Sequence, residues 1–157
     1  MAVNYGKIWE QKVMEDFSKL PDSTIDRLYD QTTGYKFTSR NVSDTIGYVY
    51  PLHYYIECKS CKGNTFSLNN LPQYDKMVEK VGIKGVRVGV VLWFIDHKTV
   101  VYIPISTFTK LLEDNKKSVN IKMLNEGTYN IIEIPSETKR VFPSCDFSVL
   151  KTLKEGE

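Results

Sequence analysis

The stretch YYIECKSCKG, Tyr54 to Gly63, sets a carboxylate (Glu57), a thiol (Cys58) and an ammonium (Lys59) side by side in an otherwise apolar, strand-like run. A second thiol, Cys61, follows closely. Side chains alternate between the two faces of a strand. Glu57 and Lys59 therefore share one face with Tyr55, and Cys58 shares the other with Ile56. The expectation is a strand that gives Ile56 and Cys58 to a core and presents Glu57 and Lys59 to a cleft. Taken alone, the acid–amine pair is equally well a surface salt bridge on an edge strand, worth about 0–1 kcal/mol. Asp44 changes that balance. It opens the preceding strand-like run, and if the two runs pair as a hairpin its carboxylate arrives beside Glu57 and Lys59. Two converging carboxylates repel unless a cation lies between them. Hard oxygen donors suit Mg²⁺, which keeps several waters and also binds phosphate oxygens. An ammonium beside such a site can orient or deprotonate a water and steady the charge developing on phosphorus. Asp44 followed by Glu57-x-Lys59 is thus a minimal set for metal-assisted phosphodiester hydrolysis.

These residues need elements to hold them. Asn4 can cap a helix running to about Leu20, with Ile8, Val13, Phe17 and Leu20 as an apolar stripe supplemented by Trp9 and Met14. Pro21 stops it, and Asp22-Ser23 turns the chain. TIDRLYD (24–30) alternates as a strand, with Ile25, Arg27 and Tyr29 on one face. Gln31 to Ser43 is polar and aperiodic, a loop long enough to suspect function. DTIGYVYP and HYYIECKS read as strands joined around Pro51-Leu52. KGNTFSLNNLP reads as loop, and a helix over 71–81 follows, stopped by Gly82. VRVGVVLWFID is the longest β-branched and aromatic run and reads as a central strand buried on both faces. VVYIPI is the next strand, and Ser106 caps a helix ending at Asn115. In the tail, VNIKML and YNIIEIP read as strands and DFSVLKTLKE as a short helix. The sum is an α/β fold, a mixed sheet with helices on its faces.

The 157 residues fit one domain, large enough to bury a core without disulfides or metals. Net charge is +2, so any nucleic-acid surface must be a local basic patch. Three cysteines with no framework spacing fit a reducing compartment. The N-terminus shows no signal-peptide core, and no apolar run is long enough to cross a bilayer. A soluble, cytoplasmic protein with no membrane association is expected.

The ordered set of Asp44, Glu57 and Lys59 resembles the PD-(D/E)XK nuclease superfamily. Its motif is Pro-Asp, a gap, then Asp/Glu-x-Lys, with an acid on the preceding helix. Ser43 stands here in place of the proline, and Glu10 is the natural helix acid; the alternative for Glu10 is a solvated helix residue. The stretch SDTIGYVYPLHYYIECKSCKGNTFSLNNLPQYDKM is further similar to RecU-type Holliday junction resolvases. The matching positions are Asp44, Gly47, Tyr48, Glu57-Cys58-Lys59, Phe66 to Asn70, and Gln73, and the similarity spans about Gly6 to Leu112. The resemblance implies a restriction-endonuclease-like core and a Mg²⁺-dependent DNA endonuclease of recombination or repair, with Mn²⁺ as a substitute. Asp44, Glu57 and the backbone carbonyl of Cys58 would be the metal ligands. Lys59 would act on the attacking water, and Gln73 would support the site or contact phosphate, unless it is a plain helix-surface residue. Cutting a symmetric four-way junction implies a two-fold homodimer. RecU-type resolvases carry a longer basic segment between their first strands, whereas here only Gln31 to Ser43, with Lys36 and Arg40, is available. That favours a compact variant of the kind viruses encode. It also leaves open a restriction-like or repair nuclease for duplex, flap or nicked DNA, or a non-catalytic DNA-binding module.

Lys7, Lys36, Arg40 and Lys62 are the expected DNA contacts, with Lys12 and aromatic neighbours such as Tyr5, Tyr35 and Phe37 on the same face. Each could equally be ordinary surface charge. Cys58-x-x-Cys61 invites a zinc or redox reading. Structural zinc needs four N/S ligands, and the chain has no second paired motif. Cys58 reads more simply as a small buried apolar residue.

Overall fold

The computed structural model describes residues 4–29 and 41–154. Its helices are α1 (Tyr5–Phe17), α2 (Tyr74–Val78), α3 (Ile105–Glu113) and α4 (Met123–Glu126). Its strands are β1 (Ser23–Arg27), β2 (Thr45–Val49), β3 (Leu52–Cys61), β4 (Thr65–Ser67), β5 (Val86–Phe94), β6 (Thr99–Pro104), β7 (Ser118–Asn120), β8 (Ile132–Ile134), β9 (Ser136–Lys139) and β10 (Phe142–Cys145). Six of them form one sheet in the order β1-β2-β3-β5-β6-β8. Only β3 and β5 pair in parallel; the other neighbours are antiparallel. The expected mixed α/β architecture is the one observed.

Alternation along the central strands builds two cores, one on each face. Tyr54, Ile56 and Cys58 of β3 and Val91 and Trp93 of β5 pack with Trp9, Val13 and Phe17 of α1. Val88, Val90, Leu92 and Phe94 of β5 face the other way, toward Met77 of α2 and Phe108 and Leu111 of α3. This is why the run from Val86 to Phe94 is apolar without a period: both of its faces are covered. Gly89 sits where a Cβ would come within 2.4 Å of the Tyr102 ring, so the close approach of β5 and β6 requires its bare backbone.

The helix cap at Asn4 forms as expected, with the side chain accepting from the Lys7 N–H at 3.1 Å. The β2–β3 hairpin also forms, turning through Tyr50 and Pro51 with Val49 opposite Leu52. Elsewhere tertiary pairing overrides local pattern. The segment read as loop after Lys62 contains β4, which pairs with β7 across a gap of about fifty residues that no local period reveals. The helix expected over 71–81 is regular only from Tyr74 to Val78. The strand expected over VNIKML stops at Asn120 and gives way to α4. YNIIEIP keeps only Ile132–Ile134 as strand, and the C-terminal helix is a 3-10 turn over Ser148–Thr152. The β9–β10 hairpin was not foreseen, because Ser136–Lys139 is polar on both faces.

Long-range hydrogen bonds hold these late segments against the sheet. The Tyr54 hydroxyl donates to the Leu150 carbonyl at 2.6 Å. The buried Arg87 guanidinium donates twice to the Leu153 carbonyl, at 2.8 and 3.1 Å. Buried Asp16 of α1 accepts from the Cys145 N–H at 2.8 Å, which fixes β10 to the helix. No helix among the described residues is long and apolar enough to cross a membrane.

Candidate active site

β2 begins at Thr45, opposite Ile56, so Asp44 stands one residue beyond the ladder, level with Glu57. β3 runs on to Cys61, and past Ile56 its backbone has lost β2 as a neighbour. The Asp44 carboxylate takes the first freed donor: the Cys58 N–H donates to Asp44 Oδ2 at 3.1 Å. In return the Asp44 N–H donates to Glu57 Oε2 at 2.8 Å. Asp44 is fixed from behind as well. Its carbonyl accepts the Leu28 N–H at 2.8 Å, and the flanking Ser43 and Thr45 hydroxyls donate to the carbonyls of Thr45 and Ile56 at 2.6 and 2.9 Å. The hairpin therefore brings Asp44 to Glu57 as the sequence suggested.

Lys59 lies on the same face, its Nζ 3.3 Å from Glu57 Oε1. The two are not equally open. Lys59 is about a quarter exposed, whereas Glu57 is 1% exposed, with β5 beside it at Val90 and Asp44 against its carboxylate. The Glu57 pKa is raised to about 8, by burial first and then by the Asp44 carboxylate, with Lys59 opposing both. A surface salt bridge does not behave this way. The raised pKa marks a carboxyl that is costly to ionise where it lies, with Lys59 the ammonium that lowers that cost.

Glu10 of α1 approaches from the other flank. Its pKa is raised by burial first and then by the Asp44 charge, so the helix acid does reach the field of the site. Its closest partner was not foreseen: Arg27 Nε of β1 lies 2.6 Å from Glu10 Oε1. The contact is a close ion pair, and the guanidinium is also steadied by Gln11 Oε1 at 3.5 Å from Nη2. Sequence alternation placed Arg27 on the face of Ile25 but held no signal for a partner seventeen residues away. Arg27→Ala is expected to cost about 1–3 kcal/mol, between the values for exposed and fully buried pairs. Urea denaturation should show this loss, and Glu10→Gln added to Arg27→Ala should recover part of it. Equal stability of the single and double variants would show that the pair is not coupled.

The remaining expected residues fall as follows. Lys7 is exposed on α1 and contributes a favourable field to Glu10. Lys62 is exposed in the turn after β3, where the neighbouring Gly63 N–H donates to Asp96 at 2.6 Å. Gln73 lies just before α2, with its side-chain Oε1 buried and without a hydrogen-bond partner among the described residues. Lys36 and Arg40, expected as DNA contacts, lie outside the described residues. Cys58 is buried in the α1-side core, and Cys61 packs against the opposite one. Successive faces of the sheet thus separate the two thiols of the Cys-x-x-Cys. Burial pushes Cys58 well up and Cys61 to about 11, and both are free thiols.

Among the described residues no group of three or more His, Cys, Asp or Glu side chains could hold an ion. Asp44 and Glu57 are adjacent and offer oxygen donors alone, which suit a hard cation rather than zinc.

Comparison with solved structures agrees with this geometry at the level of the fold. A crystal structure of Archaeoglobus fulgidus Hjc, a Holliday junction resolvase from an archaeal hyperthermophile, superposes with a TM-score of 0.57. The match covers 79% of this chain and 95% of that one, at 16% identity. The chain has the restriction-endonuclease-like fold. No protein-family model matches it, and no curated protein matches it in sequence.

Proposed function

We propose that this protein is a Mg²⁺-dependent endodeoxyribonuclease acting on branched DNA, a Holliday junction resolvase in recombination or repair. The observation that carries the reading is the seating of Asp44 against Glu57 and Cys58, with Lys59 beside them, in the fold of a resolvase. Asp44, Glu57 and the Cys58 carbonyl would hold Mg²⁺, or Mn²⁺ in its place. When bound, that ion supplies a Lewis acid for a phosphate oxygen and lowers the pKa of water. Lys59 orients the attacking water and meets the charge that develops on phosphorus. Glu10, held by Arg27, adds negative potential on the α1 side, and Gln73 would support the site or contact phosphate. The water oxygen bonds to phosphorus as the bond to the 3′ oxygen breaks, leaving a 5′-phosphate and a 3′-hydroxyl. Two nicks placed symmetrically call for a homodimer. The RecU-type affinity rests on the residues from Ser43 to Met77 and belongs to the same proposal.

The test is side-by-side cleavage of a mobile four-way junction and a linear duplex, with and without Mg²⁺. Preferential, metal-dependent cutting of the junction is expected. Equal cutting of both substrates would favour a general repair or restriction-like nuclease, and binding without cleavage would favour a non-catalytic module.

A further inference from the structure

The β9–β10 hairpin lies against the edge of α1 and encloses with it a groove of about 430 Å³. Lys12, Glu15 and Asp16 line it from α1, Lys19 from the turn that follows, and Lys139 and Arg140 from the hairpin. Lys12 and Lys19 are paired with these acids, Lys12 with Glu15 at 3.8 Å and Lys19 with Asp16 at 3.0 Å. Neither Lys139 nor Arg140 forms a salt bridge among the described residues. Two uncompensated cations therefore stand at the hairpin tip.

The tip is built in an unusual way. Lys139 pairs with Phe142, so Arg140 and Val141 form a two-residue turn. Arg140 has φ +60°, a left-handed conformation at the first turn position, where Gly, Asn or Asp is favoured. A guanidinium thus stands where a small residue would be less strained. Val141 beside it is 52% exposed. The tip is nevertheless firmly based: Phe142 packs against Trp93 and Tyr5 with ring centroids 5.3 and 5.7 Å away. An arm anchored at its base and offering two cations and an apolar face matches a nucleic-acid backbone, with phosphates for Lys139 and Arg140 and deoxyribose for Val141.

We infer that the groove between α1 and the β9–β10 hairpin is a second DNA-backbone contact, separate from the cleavage site, with Arg140 at its tip. The inference rests on the nuclease reading above. α1 carries Glu10 near the candidate site and Lys12 in the groove, so one rigid helix links the two surfaces.

The experiment measures binding of a labelled four-way junction in EDTA, across a salt series, for the wild-type chain, Arg140→Gly and Lys139→Ser/Arg140→Gly. The double variant is expected to bind about tenfold more weakly near physiological salt, with a log–log salt slope reduced by about 2. Arg140→Gly is expected to weaken binding while holding or raising the melting temperature, because glycine relieves the positive φ. That opposite movement separates loss of contact from loss of fold. If the wild-type chain binds the junction and the double variant keeps its affinity and salt slope, the groove is not a DNA contact and the nuclease reading stands. If the wild-type chain neither binds nor cuts DNA, both are overturned.

Discussion

Asp44→Asn is expected to reduce single-turnover cleavage about 10³-fold or more while leaving junction binding intact. The scale is that of removing one preorganised electrostatic group from a phosphoryl-transfer site, with loss of a metal ligand added. The substitution isolates charge from structure. Asn keeps the length of the side chain, and its amide oxygen can still accept the Cys58 N–H that Asp44 Oδ2 now takes at 3.1 Å. The backbone N–H that donates to Glu57 is untouched. The fold should therefore survive, and the melting temperature checks that it does. Lys59→Ala is expected to cost a similar factor, with little recovery from Lys59→Arg, because a planar guanidinium does not place its charge where the compact ammonium sits. Cleavage within tenfold of wild type by Asp44→Asn would remove this residue from the chemistry.

The second large effect is on stability, and it runs against activity. Glu57 has a folded-state pKa of about 8, raised first by burial and then by the Asp44 carboxylate. An acid whose pKa is raised on folding binds its proton more tightly in the native state. The stability it contributes is full below its ordinary value of 4.5 and is lost as pH rises through about 8. In EDTA the wild-type protein should lose melting temperature from about pH 5 toward pH 8–9 through this group. Glu57→Gln should flatten that dependence, because a neutral amide carries no ionisation penalty and its oxygen can still accept the Asp44 N–H. At pH 8 the variant should be more stable by about a few kcal/mol, or roughly 5–10 °C, and it should not cleave. Mg²⁺ should narrow the gap by stabilising only the wild type, since a ligand that binds the native state stabilises by mass action. A stability difference independent of pH would show that Glu57 is not titrating in this window. The two predictions share a cause: burial of Glu57, with the Asp44 carboxylate beside it, makes its ionised form costly in the metal-free fold.

The tie between those carboxylates was legible because it depends on short-range rules. A strand period of two puts Glu57 and Lys59 on one face, and a two-residue turn at Tyr50 and Pro51 folds Asp44 back to Glu57. The doubly buried β5 was legible from its unbroken apolar run, and the start of α1 from Asn4. The depth of the site was not. Glu57 reads as a cleft residue until β5 is known to lie in parallel beside β3, and that pairing joins segments about thirty residues apart. The Glu10–Arg27 pair, the seat of Asp16 on Cys145, the β4–β7 pairing and the basic groove under the β9–β10 hairpin are of the same kind. Periodicity reports which face a side chain takes within its own element. It holds nothing about which distant element will cover that face. Strand alternation and a tight turn suffice to align Asp44, Glu57 and Lys59, whereas the depth at which Glu57 lies, and with it the raised pKa of its carboxyl, comes from distant elements that cover the sheet.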